Sequence, residues 1–459
     1  MKKYLLFLVL ISFLLSCNNQ NQQEKNKTIT SKTIFIAGKT KNNIVCKKDS
    51  SQSYTAYFPE NYNQTKETPV IVLFDSHARA NLIINKFKNA ANNFGYVLIA
   101  SENIKNGLKT INYSIDILFE DIFSRFKINK NRVYTAGFSG GAKVANSVAI
   151  YKGGIAGVIA CSGGLPQQGI KIKSKYDFVG IVGINDFNYQ EMKTLDIAFN
   201  KYGFNSNLII FNGQHEYPSN NIITNSVELL EISAMKRKFI PVNDNLLRSY
   251  TEKEAKTINN FLIKDEDYKA YILYKRFLKN LSDLYDISKY KIGFDTLLQR
   301  KIIKQKIKFE EQLSNKEAIE QQKIIGWFKN SDFKTLKQNI TSLQIKIRND
   351  NEKHYEIRLL NYIEMLSYIF TNKALKLNDF KNFDQLITIY ELSNNKNADK
   401  EYFKACKFAL DKDNSNALKS LNKAVDFGFI DKDKLINSGY LKELKNNPNF
   451  IGILNRLSN

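Results

Sequence analysis

The first half of the chain alternates continuous apolar runs with stretches of helical periodicity. The apolar runs have the length and composition of strands that are buried on both faces of a sheet. They lie at 70–74, 96–100, 132–136, 155–160, 178–182 and 207–211. Helix-periodic stretches lie at 80–93, 111–126, 142–150, 189–202 and 220–238. Because strands and helices alternate, the pattern predicts a doubly wound, mostly parallel α/β sheet with its site at the carboxyl ends of the strands.

The pattern changes at about residue 245, where strand-like runs and glycine become rare. Amphipathic helical periodicity continues from there to the end of the chain. The predicted helices lie at 252–262, 268–284, 297–312, 318–330, 333–348, 355–370, 399–411, 416–426 and 431–444. We therefore predict an α/β domain over residues 33–243 and an all-α domain over residues 244–459, which agrees with the domain count that 459 residues suggest.

The N-terminus has the pattern of an export signal. Two lysines precede an apolar segment, 4–15, which is too short to span a bilayer comfortably. The segment ends in Ser16-Cys17 and resembles a bacterial lipobox, in which the cysteine is lipidated. We predict a lipoprotein signal over 1–17, lipidation at Cys17 and a flexible tether over 18–32. The alternative is an ordinary signal peptide with an incidental cysteine.

This N-terminus predicts a location in the bacterial cell envelope, with the protein held to a membrane by its lipid. The membrane and its face stay open. The net charge of +23 is spread through both halves of the chain, mostly as single lysines among Asn and Ile. Such spacing favours a solvated surface over a nucleic-acid site, although attraction to anionic lipid or polysaccharide stays open.

Cysteine usage predicts no metal centre. With Cys17 assigned to lipid, Cys46, Cys161 and Cys406 remain, and none lies in a CxxC or Cys/His pattern. An exported location permits a disulfide, but the sequence does not select a pair.

The motif with the clearest chemistry is Gly137-Phe138-Ser139-Gly140-Gly141. It follows a predicted strand and precedes a predicted helix, which is the setting of a nucleophile elbow. The turn should place Ser139 in a strained backbone conformation, and the flanking glycines let strand and helix approach closely. We predict Ser139 as the nucleophile, at a helix N-terminus whose positive potential favours an oxyanion.

A histidine lies where a general base is required. His215 follows the apolar run 207–211, and imidazole can take the serine proton near neutral pH and return it to the leaving group. His354 lies in a charged helical stretch and is predicted to be a surface residue. His77 has no second His or Cys near it in sequence, so a metal-ligand role is not predicted.

The predicted acid is Asp186, which follows the run 178–182 and gives the order Ser, Asp, His. Its carboxylate would orient the imidazole and stabilise its charged form. Asp177 and Glu216 are alternatives, but Asp177 precedes its strand and Glu216 is adjacent to the histidine. This chemistry requires no cofactor.

Two backbone N–H groups should stabilise the oxyanion. One is that of Gly140, the residue after the nucleophile. The other should come from the loop after the run 70–74, where Ser76 or His77 is the candidate through its main chain.

Residues 43–238 resemble an α/β-hydrolase of the extracellular esterase group, similar to feruloyl and acetylxylan esterases, polyester depolymerases and dienelactone-hydrolase-like proteins. The residues that carry the resemblance are 70–77, 137–141, 183–186 and 213–218. The resemblance implies an ester hydrolase and does not specify the substrate. This chain has Asp75-Ser76-His77-Ala78 where a glycine-rich oxyanion loop is common. It also has no long insertion between Cys161 and Phe178, so no large lid is predicted, and an open site suits polymer-borne esters.

The C-terminal stretch resembles the terminal repeats of tetratricopeptide-like domains. Small and apolar residues recur there at helical spacing, at Ala405, Ala409, Ala417, Leu421 and Ala424. The resemblance implies a helical-repeat domain that could bind a protein partner.

Together these features predict an exported, lipid-anchored serine hydrolase that acts on carboxylic esters. One alternative is a peptidase on the same fold, although no propeller domain or carboxylate pair for a substrate amine is visible. Another is a non-catalytic binding lipoprotein that acts through its helical repeats. No nucleic-acid partner is predicted.

Overall fold

The computed structural model describes residues 35–167, 169–348 and 353–457. The predicted signal over 1–17, the lipidation site Cys17 and the tether over 18–32 lie outside the described residues. Residues from Ile36 onward form one compact unit. Among the described residues, no helix combines the length and apolar character needed to cross a membrane.

Eight strands form one sheet. They are β1 (Thr40–Val45), β2 (Ser53–Tyr57), β3 (Thr68–Asp75), β4 (Val97–Ser101), β5 (Ile128–Phe138), β6 (Gly157–Cys161), β7 (Asp177–Gly183) and β8 (Ser206–Phe211). Their order is β1-β2-β4-β3-β5-β6-β7-β8. The pairs β1–β2 and β2–β4 are antiparallel, and all pairs from β4 across to β8 are parallel. The predicted mostly parallel sheet is confirmed, and with the serine turn after β5 it is the α/β-hydrolase fold.

Five helices flank the sheet. They are α1 (Ala80–Phe94), α2 (Ile111–Arg125), α3 (Gly140–Tyr151), α4 (Tyr189–Lys201) and α5 (Asn220–Lys236). Helices α1 and α5 form a core with alternate strand residues such as Ile71 and Leu73. The neighbouring Val70 and Val72 are equally buried, and since side chains alternate along a strand they face a second layer on the other side. The sheet is therefore covered on both faces, as its apolar runs predicted.

The rest of the chain is helical, as predicted. Its helices are α6 (Asp244–Ile263), α7 (Asp267–Leu281), α8 (Ser288–Gln299), α9 (Lys301–Lys329), α10 (Phe333–Arg348), α11 (His354–Lys376), α12 (Phe380–Ser393), α13 (Ala398–Leu410), α14 (Asn414–Asp426), α15 (Lys432–Ile436) and α16 (Pro448–Arg456), with a 3-10 turn at Lys442–Leu444.

The apolar core of the sheet continues into the first of these helices. Ile223 and Leu230 of α5 share one buried cluster with Leu247 of α6, Phe277 of α7 and Ile303 of α9. A second buried cluster runs from Ile324, near the end of α9, to Ile453 of α16. The core of the α/β layer thus extends past residue 244, where the secondary structure becomes all-α, and α9 contributes to both cores.

The three cysteines in the described part of the chain are free and buried. Burial raises the pKa of the Cys161 thiol to about 12, and burial, with a smaller effect of Asp121, raises that of Cys46 to about 11. Burial also raises the pKa of Cys406 to about 11. Because the thiolate is the reactive form, burial lowers the reactivity of these three thiols in the folded state.

Candidate active site

Ser139 lies in a sharp turn between the end of β5 and the start of α3. Its φ of 55° and ψ of −118° place it in the strained conformation that the sequence predicted, at a cost of about 1–3 kcal/mol. The Ser139 N–H donates to the carbonyl of Cys161 (2.8 Å), and its own carbonyl accepts from Ala142 N (3.1 Å). The turn is therefore held by the end of β6 on one side and by the first turn of α3 on the other.

Glycines allow the backbones around Ser139 to touch. A Cβ on Gly137 would lie 2.3 Å from the carbonyl carbon and oxygen of Gly141, and a Cβ on Gly141 would lie 2.0 Å from Phe74 O. A Cβ on Gly163 would lie 2.4 Å from Ser139 O. Gly137 and Gly141 belong to the motif that was identified in the sequence. The sequence around Gly163 contains no pattern that predicts its contact with Ser139.

The structure brings the three predicted side chains together. His215 Nε2 lies 3.0 Å from Ser139 Oγ, and His215 Nδ1 lies 3.1 Å from both carboxylate oxygens of Asp186. The Asp186 carboxylate is fully buried, whereas the imidazole is 24% exposed. A proton on Nδ1 that is donated to the carboxylate leaves Nε2 to accept the serine hydroxyl proton. The arrangement can therefore generate a nucleophilic alkoxide at a solvent-accessible position.

The two alternative acids are occupied elsewhere. Asp177 accepts hydrogen bonds from Arg237 Nη1 (3.2 Å) and Asn205 Nδ2 (3.1 Å). Glu216 Oε1 accepts from the backbone N–H of Gln214 (3.1 Å). Of the three candidates, it is Asp186 that contacts the imidazole.

Two aromatic rings fix the plane of the imidazole. Phe187 stacks on His215 with a centroid distance of 4.2 Å, and Phe138 lies 5.1 Å away in a tilted contact. Phe138 also stacks on Tyr217 at 4.3 Å. Sequence reasoning missed these contacts, although all three rings lie within two residues of a predicted site residue.

Asp75 ties the loop after β3 to the loop after β8. Its buried carboxylate accepts from Arg79 Nε and Nη2 (both 2.9 Å), Tyr217 Oη (2.5 Å) and the His77 N–H (2.8 Å). Burial alone would raise the pKa of Asp75, but the hydrogen bonds from Arg79 and Tyr217 hold it below its ordinary value. The charged carboxylate therefore fixes the candidate oxyanion loop beside the histidine loop.

The three candidate oxyanion donors have different surroundings. The His77 N–H already donates to the Asp75 carboxylate. Gly140 is the first residue of α3. In the loop after β3, the Ser76 carbonyl oxygen accepts from the Asn106 N–H (2.9 Å). A Cβ on Gly140 would lie 1.9 Å from Asn106 Oδ1. Asn106, which the sequence did not single out, therefore brings the Ser76 loop against the residue after the nucleophile. Since the His77 N–H donates to Asp75, Ser76 is the candidate that remains for the second donor.

The helical region borders the site where α11 contacts the loop that carries Asp186. This contact involves His354, which is half-buried against Asn185 (Nδ1–Oδ1 2.8 Å) and is not the surface residue the sequence predicted. The pKa of His77 is lowered by burial and by Arg79, while the charges of Asp75, Asp431 and Asp399 oppose the shift.

Within the described parts of the chain, no three His, Cys, Asp or Glu side chains are grouped so that they could hold a metal ion.

Comparison with known proteins finds no matching family model and no matching curated protein. Solved structures match less than half of this chain. An S-formylglutathione hydrolase from Staphylococcus aureus is 13% identical, with 43% of this chain and 99% of that chain covered and a TM-score of 0.36. A feruloyl esterase module from Clostridium thermocellum is 14% identical, with 42% and 87% covered and a TM-score of 0.36. Dipeptidyl peptidase 4 from Porphyromonas gingivalis is 13% identical, with 43% and 36% covered and a TM-score of 0.34. At such identities and TM-scores these similarities carry no argument about activity.

Proposed function

We propose that the protein is a serine hydrolase that cleaves carboxylic esters, with Ser139 as nucleophile, His215 as general base and acid, and Asp186 as the orienting carboxylate. The observation that carries the proposal is the hydrogen-bonded chain from Ser139 Oγ through both ring nitrogens of His215 to Asp186, at 3.0 and 3.1 Å. This chain starts from a strained turn, with φ of 55° at Ser139. Such strain persists where a function selects for it.

The reaction follows from the geometry. Ser139 Oγ attacks the ester carbonyl carbon while its proton moves to His215 Nε2, and a tetrahedral intermediate forms. The bond to the alcohol oxygen then breaks, and the leaving alcohol takes the proton from the imidazolium. Water, deprotonated by His215 in turn, attacks the carbonyl carbon of the acyl-serine. The bond to Ser139 Oγ then breaks, the imidazolium returns its proton to that oxygen, and the carboxylic acid is released. Asp186 stabilises the imidazolium during both the acylation and the deacylation of Ser139.

The oxyanion of the intermediate would be stabilised by backbone N–H groups of Gly140 and Ser76. Gly140 is the first residue of α3, whose N-terminus carries the positive end of the helix dipole. Donors fixed in this way before the reaction need no reorganisation as negative charge develops.

The proposal is tested by treating the purified protein with a fluorophosphonate, mapping the adduct by peptide mass spectrometry, and assaying p-nitrophenyl esters beside peptide p-nitroanilides. We expect one adduct, on Ser139, and turnover of the esters. Turnover of the anilides in preference to the esters would favour a peptidase. A folded protein that neither takes up the probe nor cleaves any substrate would refute the enzyme and move attention to the helical repeats.

We further propose that the chain is anchored to a membrane of the bacterial cell envelope through lipid on Cys17. The support is the basic start, the apolar run 4–15 and Ser16-Cys17 after it. Expressed in a bacterium fed a labelled fatty acid, the full chain should take up label and enter a detergent phase, whereas Cys17→Ser should do neither. Cys46→Ser, which changes a buried thiol, is the matched control and should keep both properties. Equal labelling of Cys17→Ser would refute the anchor.

A further inference from the structure

Helix α11 of the helical region contacts the loop that leads into Asp186. Arg358 Nη1 donates to Ile184 O (3.0 Å), and Asn361 Nδ2 donates to Asn185 O (2.8 Å). His354 Nδ1 pairs with Asn185 Oδ1 at 2.8 Å. Positions 354, 358 and 361 share one face of a helix, so a single face of α11 holds the two residues that precede the acid.

Arg358 is fixed in its own right. Its Nε and Nη2 donate to the two carboxylate oxygens of Glu317 in α9, at 2.8 and 2.6 Å, and both side chains are almost fully buried. Its guanidinium also lies over the ring of Tyr189, 4.2 Å from the centroid. A planar guanidinium held by one edge on Glu317 and by one face on Tyr189 has its Nη1 aimed in one direction, and here that direction is Ile184 O.

Arg358 contacts residues on both sides of Asp186 in the sequence. Ile184 precedes Asp186 and Tyr189 follows it, and the Tyr189 N–H donates to Asp186 O (2.9 Å). The opposite side of the loop is held by the histidine segment, where the Asn185 N–H donates to Gly213 O (3.0 Å). The acid loop is therefore fixed between α11 and the loop that carries His215.

We propose that Arg358, with Asn361, is a positioning residue for the catalytic acid, so that the helical region completes the active site of the hydrolase; this rests on the proposed function. A misplacement of about 1 Å in a catalytic group can lower the rate on the order of a hundredfold. A buried ion pair is costly to desolvate and is weak evidence of a stabilising role. The Arg358–Glu317 pair instead gives the loop one defined position.

The test is a double-mutant cycle between Arg358→Met and Asp186→Asn, read by kcat and KM on a p-nitrophenyl ester and by the rate of fluorophosphonate labelling. If Arg358 acts through the acid, Arg358→Met should lower kcat about 30- to 100-fold in the wild-type background with KM nearly unchanged. In the Asp186→Asn background its effect should fall to less than about threefold, because coupled residues are not additive. Arg358→Lys, which cannot reproduce the fork, should recover little.

The matched control is Arg276→Met. Arg276 of α7 is also largely buried in the helical region and donates to a glutamate, Glu254 of α6, at 3.0 Å. In the part of the chain that the structure describes, it shares no hydrogen bond or ion pair with the acid loop. Its loss should leave kcat per folded molecule within about twofold of wild type. Thermal denaturation reports the folded fraction of each variant. If Arg358→Met does not fold, Asn361→Leu takes its place in the cycle, with an expected loss of about tenfold.

The possible results distinguish failure of the positioning role of Arg358 from failure of the proposed hydrolase activity. Equal losses from Arg358→Met in both backgrounds, or an equal loss from Arg276→Met, would overturn the positioning role and leave the hydrolase intact. A wild type that takes up no fluorophosphonate would overturn the hydrolase and the positioning role together. A labelled wild type with an unaffected Arg358→Met would overturn the positioning role alone.

Discussion

Replacing Ser139 by alanine is expected to lower kcat for ester hydrolysis roughly a millionfold and to abolish fluorophosphonate labelling. The variant loses the oxygen that forms the acyl intermediate, while the backbone that would stabilise the oxyanion remains. His215→Ala should be about as damaging, because an unassisted hydroxyl is a weak nucleophile. The double variant should be no worse than either single one, since the residues act as a unit. Single-turnover and steady-state assays on a p-nitrophenyl ester measure all three.

Ser162 supplies the matched control for this experiment. It follows β6, has a positive φ of 53° and is buried, and within the described chain its hydroxyl has no hydrogen-bond partner. Ser162→Ala should change kcat less than about threefold, since no contact is lost. If Ser139→Ala kept a hundredth or more of the wild-type rate while remaining folded, on the order of 10⁴ above expectation, another nucleophile would be responsible.

Replacing Gly137 by alanine is expected to destabilise the protein by about 3 kcal/mol or more. The new Cβ would lie 2.3 Å from the Gly141 carbonyl carbon and oxygen, and both are backbone atoms that cannot move aside as a side chain can. Strand β5 and helix α3 would have to separate, which disturbs Ser139 between them. Urea denaturation should show the loss as a lower midpoint, and the rate per folded molecule should fall as well.

Gly326 in α9 is the matched control, because a Cβ there meets nothing within 4 Å. Gly326→Ala should stabilise the protein by about 0.5–1 kcal/mol, since alanine loses less backbone freedom in a helix. A loss below about 1 kcal/mol for Gly137→Ala would mean that the two backbones can part at little cost, contrary to dense packing of the core.

The strands and the order of the site residues could be predicted because their signals are local. A fully buried strand is a continuous apolar run, and the nucleophile turn has its glycines within five residues. Element boundaries could not be predicted as closely. The two helices predicted at 297–312 and 318–330 form one long helix, Lys301–Lys329, and α8 (Ser288–Gln299) lies mostly where no helix was predicted. Intrinsic helix propensity is a weak preference, and tertiary packing overrides it.

The surroundings of the site could not be predicted, because they depend on residues far apart in sequence. The contact of Arg358 with Ile184 O joins positions 174 residues apart. The bond of Tyr217 to Asp75 spans 142 residues. Each of these polar residues has the same local pattern as a solvated one, as His354 illustrates. Only the fold decides which charges are buried against which loops.

The apolar core that the sheet shares with helices α6 to α9 affects the folding of the chain during its synthesis. The buried cluster that contains Ile223 and Leu230 also contains Ile303, so it is incomplete until residue 303 has been synthesised. At ~5–20 residues per second, the intervening stretch of about 80 residues takes roughly 4 to 16 s to synthesise. A sheet that formed during that interval would expose part of its apolar face to water, a state that favours aggregation.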